Sequence, residues 1–133
     1  MGQQQLLLLV LGAIIVGVAI VVGMNMFSTS AVNANRDAVV QDCMTLATRA
    51  QQWYRTPTIL GGGGRSFASI SLNAIRFTSP NENGSYVLSS PSEGSITVTG
   101  TGREPQANPG TVAIVVVPDS IRTPLFGAGW STN

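Results

Sequence analysis

Apolar positions follow two different patterns in the first half of this chain. From Leu6 to Gly23 every residue is apolar or glycine, and none is charged. From Ala31 to Tyr54 the apolar positions thin to a stripe. Val32, Val39, Cys43, Leu46, Ala50 and Trp53 recur at steps of seven, four, three, four and three, which is helical spacing along one face. Val40, Met44, Ala47 and Tyr54 widen the stripe, while Arg36, Asp37, Gln41, Asp42, Thr45, Thr48, Arg49 and Gln52 fill most of the remainder. The pattern predicts a single helix over residues 3–54, about 78 Å long at 1.5 Å per residue. Its first part is apolar all round and its second is one-sided, so the two parts belong in different environments.

The apolar part is at the lower end of the length needed to span a hydrocarbon core. Its flanks are those of neither an ordinary anchor nor a secretory signal. No Lys or Arg precedes the run, and the first to follow is Arg36, so the positive-inside signal is missing. Gly12, Ala13, Gly17, Ala19 and Gly23 interrupt the Leu, Ile and Val residues. Ala13 with Gly17, and Ala19 with Gly23, are small-xxx-small pairs of the kind that let helix backbones approach closely where water is absent. The amphipathic part calls for a protein core, and its stripe is expected to pack on a sheet.

Pro57 marks the end of the helix, because the residue before a proline is pushed out of helical geometry. No proline precedes it, and the texture beyond it is β. Gly61-Gly62-Gly63-Gly64 reads as a flexible connection, with no Lys and no following helix to make it a phosphate loop. Residues 66–70 read as a short strand or an irregular turn, and 72–77 as ambiguous. Better strands are 85–89, 95–101 and 111–117, rich in Val, Ile, Thr and Tyr and bounded by turn residues. Ile96 and Val98 alternate with Thr97 and Thr99, predicting one wet face, while Val112 to Val117 reads as a central strand buried on both sides. A shorter strand is expected near 121–123. Asn83-Gly84 signals a turn and begins an Asn-Gly-Ser sequon, which makes Asn83 a glycosylation candidate in a host that glycosylates exported proteins. Phe126 and Trp130 either fold back on the sheet or meet a neighbouring subunit. The expected fold is α+β: an apolar helix at 1–30, an amphipathic helix at 31–55, and a β-rich domain at 56–133 whose small antiparallel sheet packs on the amphipathic helix.

Composition narrows the chemistry. The chain has 133 residues, 10% charged, with a net charge of +1, against roughly 25% charged in a typical soluble domain. No basic face for nucleic acid is evident. All positive charges are Arg, and His and Lys are absent, which removes the commonest general base, the commonest metal ligand and any Lys nucleophile. Asp37, Asp42, Glu82, Glu93, Glu104 and Asp119 are scattered singly. An enzyme is not expected, nor a cofactor or a metal. Cys43 is the one cysteine, so no intramolecular disulfide forms. Its place in the stripe reads as a small buried residue rather than a reactive thiol.

An apolar N-terminal helix that continues as an amphipathic helix, then a Gly-rich loop and a β meander, resembles a type IV pilin. The most specific part of the resemblance is Gly2 followed by Gln3 to Gly23. It implies that a prepilin peptidase cuts after Gly2, leaving Gln3 as the mature start. It also implies that the apolar half sits in the inner membrane until the pilus assembly machinery moves it into a filament core of identical helices. The sequence departs from the usual pattern in three ways. No Lys or Arg precedes Gly2, and neither Leu7 nor Gln5 supplies the family's fifth-position glutamate. A lone Cys also cannot close the C-terminal disulfide loop. The departures point to a divergent bacterial or an archaeal-type pilin. The resemblance thus implies the major subunit of an extracellular filament, a homopolymer with a surface-adhesion role. The alternatives are a minor pilin, a secretion-system pseudopilin, or a monomeric membrane-anchored binding domain, which would call for a flexible linker after the span.

Overall fold

In the computed structural model, residues 2–105 and 108–130 are described. Helix α1 covers Gly2–Arg55, 54 residues, in agreement with the two apolar patterns and with the stop imposed by Pro57. A 3-10 turn follows at Thr58–Leu60. The strands are β1 (Gly84–Ser89), β2 (Ile96–Gly102), β3 (Thr111–Val117), β4 (Ser120–Ile121) and β5 (Leu125–Phe126). Together they make one five-stranded antiparallel sheet in which β3 pairs with β2, β4 and β5. The fold is α+β. The chain divides into two compact units, one ending at Asn33 and the other starting at Ala34, so the amphipathic part of α1 from Ala34 onward belongs to the β-rich unit.

Within that second unit the helix and the sheet share one core. The helix contributes Val39, Cys43, Leu46, Ala47, Ala50 and Trp53, and the sheet contributes Tyr86, Ile96, Val98, Val112, Ile114 and Val116. Register follows the alternation: Val98 stands opposite Ile114 and Ile96 opposite Val116, so large apolar side chains meet on the face that α1 covers. Strand β2 alternates as expected, burying Ile96 and Val98, but its threonine face is half-buried rather than fully wet. For β3 the expectation needs correcting. Val112, Ile114 and Val116 are buried, but Ala113, Val115 and Val117 are only partly so. The strand is central in its pairing, but only one of its faces lies under the helix. Residues 66–70 form turns rather than a strand, and 72–77 is a turn-rich loop that buries Ile75.

The Gly-rich loop is a second correction. It is hydrogen-bonded to the end of α1 and is not a loose connection. Gly63 N–H donates to Trp53 O at 2.9 Å, Gly64 N–H to Thr56 O at 3.0 Å, and Arg65 N–H to Tyr54 O at 2.8 Å. These bonds satisfy carbonyls that a helix C-terminus otherwise leaves open. A Cβ on Gly63 would overlap the Trp53 ring, so this glycine is required for close approach. On the other side, Gln51 Nε2 donates to Val117 O at 2.9 Å and Arg55 to Pro118 O at 3.1 Å. The last turns of α1 are thereby tied to the β3–β4 turn.

Candidate functional site

Two surfaces of the molecule carry information about function. The first is the N-terminal apolar stretch, where every large side chain from Leu6 to Val22 is exposed, between 51% for Val22 and 72% for Leu9. Helix α1 contains an 18-residue window of mean hydropathy 3.1, none of it buried. By length and composition this part is able to cross a membrane. Gly2, Gln3, Gly12, Ala13, Gly17, Ala19 and Gly23 are all exposed. A Cβ at Gly12, Gly17 or Gly23 would meet nothing within 4 Å. Nothing in the chain itself therefore requires a small residue at these places.

The second is the contact between helix and sheet. Val39, Cys43, Leu46 and Ala50 are fully buried and Trp53 nearly so, whereas Val32 is only half-buried. Cys43 lies against the sheet with its thiol pushed up to about 12, through burial first and the charge of Asp42 second. A thiol in that state is inert at neutral pH.

Beside the stripe, Asp42 organises a polar cluster that spacing alone did not reveal. Its Oδ2 accepts from Asn81 Nδ2 at 3.0 Å, Asn83 Nδ2 at 2.9 Å and the Tyr86 hydroxyl at 2.5 Å. Burial acts to raise the Asp42 pKa, but hydrogen bonds from Asn83, Tyr86 and Asn81 together hold it below the ordinary 3.8. Burial and the same carboxylate push Tyr86 upward. Two turns earlier, Asn35 works in parallel. Its Nδ2 donates to Asn83 O at 2.8 Å, and its Oδ1 accepts the N–H groups of Arg103 and Glu104 at 2.9 and 3.1 Å. The two helix residues, seven apart, clamp the 79–84 loop and the end of β2 onto α1. The i, i+7 pairing of Asn35 with Asp42 was the available signal, but their partners lie far along the chain.

Asn83 has its amide nitrogen, the atom that would carry a glycan, engaged with Asp42. In this arrangement it serves as a structural donor. Trp130 does fold back: it is 4% exposed and its Nε1 donates to Glu104 O at 2.9 Å. Phe126 remains 39% exposed, with the Arg36 guanidinium 5.8 Å from its ring centroid. Among the described residues no cluster of three or more His, Cys, Asp or Glu side chains is placed to hold a metal ion.

Comparison with protein-family models, with curated proteins and with solved structures gives no match.

Proposed function

We propose that this chain is the major structural subunit of an extracellular helical filament of the type IV pilus kind. Residues 6–23 hold it in the membrane before assembly and pack it against copies of itself afterwards. The observation that carries this reading is that every large side chain from Leu6 to Val22 is more than half exposed, on a chain whose remaining residues already have a core of their own. In water each large apolar side chain left exposed costs roughly 1.5–3 kcal/mol, so the stretch requires lipid or other helices around it. Transfer from lipid to a helical bundle changes apolar burial little. Selection between the two then falls to close packing at Gly12, Ala13, Gly17, Ala19 and Gly23.

The role is structural rather than catalytic. Asp42 with Tyr86, among the described residues, holds the loop and strand onto the helix. The partners on this reading are further copies of the chain, the inner membrane, the pilus assembly machinery and a prepilin peptidase acting at Gly2-Gln3. The Ser- and Thr-rich sheet unit forms the outer surface, where adhesion would reside.

The deciding experiment is electron microscopy of fibres sheared from cells, with intact mass and N-terminal sequencing of the subunit. Thin helical fibres made of this chain are expected, beginning at Gln3 if the peptidase acts. Recovery only as a membrane-bound monomer would instead favour an anchored binding domain. Presence as a trace component of fibres built from another subunit would favour a minor pilin.

A further inference from the structure

Cleavage after Gly2 would leave Gln3-Gln4-Gln5 as the first turn of α1, with a new α-amine on Gln3. That end is unfavourable for a positive charge. The first N–H groups of a helix have no carbonyl partners, and with the macrodipole they place roughly half a positive charge there. The first turn of α1 holds no acidic side chain. The first carboxylate along the chain is Asp37, which belongs to the other compact unit. Gln3 instead shares an apolar hollow with Leu6, Leu7 and Val10. Copies of the same stretch packed alongside bring no acid either, because each has the same sequence. A protonated α-amine drawn into a core of identical helices is thus unpaired, and an unpaired charge in apolar surroundings is costly.

Gln3 has the chemistry to remove that charge. An α-amine titrates at about 8, so part of it is the free base at neutral pH. The Gln3 side chain is exposed, so it can turn back on the amine. The amine nitrogen attacks Cδ of the side-chain amide and the new N–Cδ bond closes a lactam ring. The Cδ–Nε2 bond breaks, and ammonia leaves with the proton that the attacking nitrogen gives up. No oxidant, reductant or second reactant is consumed. Gln4 and Gln5 have their nitrogens in peptide bonds and cannot close the same ring.

We infer that Gln3 is converted to pyroglutamate once cleavage exposes it, so that a neutral lactam and not an ammonium enters the filament core. The inference rests on the filament reading, and specifically on cleavage after Gly2. Lys is absent, so the α-amine is the one primary amine of the mature chain and ring closure leaves the subunit with none.

That property supplies the test. Full-length subunit recovered from sheared fibres and from membranes is denatured and treated with an amine-reactive label before digestion, so that a ring closed during handling is not counted. Gln3→Ala, which keeps a free amine, is treated in parallel. Tandem mass spectrometry of the N-terminal peptide then locates the terminus. The expected chain begins at Gln3, is lighter than its sequence by one ammonia and takes no label, whereas Gln3→Ala takes one label per chain. A chain beginning at Gln3 without the ammonia loss, whether labelled or capped by another group, overturns the lactam and leaves cleavage and filament standing. A terminus other than Gln3 overturns the cleavage site and the lactam with it. The lactam found in membranes of cells that make no fibres supports the ring closure and overturns the filament reading alone.

Discussion

The thiol of Cys43 rests against the bare Cα of Gly100, across the interface between helix and sheet. A Cβ built on Gly100 would stand 2.6 Å from Cys43 Sγ and 2.8 Å from Val39 Cγ1. Real Cβ atoms do not approach that closely, so the separation of α1 from β2 is set by the missing side chain. The two residues have complementary sizes at the centre of the core, with Val39 above and Tyr86 beside them.

Gly100→Ala is therefore expected to destabilise the sheet unit by about 1–3 kcal/mol, the usual cost of overpacking. Cys43→Ala should relieve much of that by removing the sulfur. A double-mutant cycle read by thermal or denaturant unfolding checks it: coupling is expected, and simple additivity would mean that the helix shifts freely.

The same burial decides the chemistry of Cys43. With no solvent exposure and a thiol pushed up to about 12, it should resist a thiol reagent at pH 8 in the native protein and react promptly in denaturant. Assembled subunits should run as monomers on non-reducing gels. Rapid native labelling, or a cross-linked dimer lost in Cys43→Ser, would contradict the packing described.

Asp42 predicts an acid dependence whose sign follows from its partners. Its folded pKa lies below the ordinary 3.8 because the hydrogen bonds outweigh burial, so its contribution is fully present above that value. It is lost as pH falls through the lower folded value. Wild type should lose stability below about pH 4 more steeply than Asp42→Asn. Tyr86→Phe removes the hydroxyl bonded to the carboxylate and should cost about 1.5–3 kcal/mol at neutral pH. Parallel unfolding curves from pH 2 to 7 test both.

Much of the fold was legible because each element had a local signature. The stripe from Val39 to Trp53 gave the helix face, Pro57 its end, and Asn83-Gly84 the entry to β1. Three features were not legible, each for a physical reason. Ala113, Val115 and Val117 are as apolar as their neighbours, so composition could not reveal that β3 buries only one face. Gly61 to Gly64 read as flexible because a glycine required for close approach looks, in sequence, like one tolerated for freedom. Asp42 looked like one more residue on the wet face. Its partners Asn81, Asn83 and Tyr86 lie 39, 41 and 44 residues away, and only the fold brings them together.

Gly17 gives the sharpest test of what the apolar stretch is for. A Cβ there meets nothing within 4 Å in the isolated chain, and leucine is a better helix former than glycine, by roughly 0.5–1 kcal/mol. Gly17→Leu should therefore leave the helix, the membrane span and the sheet unit unharmed, or slightly more stable. If identical helices pack closely at this residue, the same substitution forces their backbones apart and should abolish fibres. Assembly and folding are thus predicted to move in opposite directions. The measurement pairs fibre yield by electron microscopy with membrane fractionation and thermal unfolding of the subunit. Normal fibres from Gly17→Leu would show that this position faces lipid or solvent in the assembled state, and would remove close packing at Gly17 from the account.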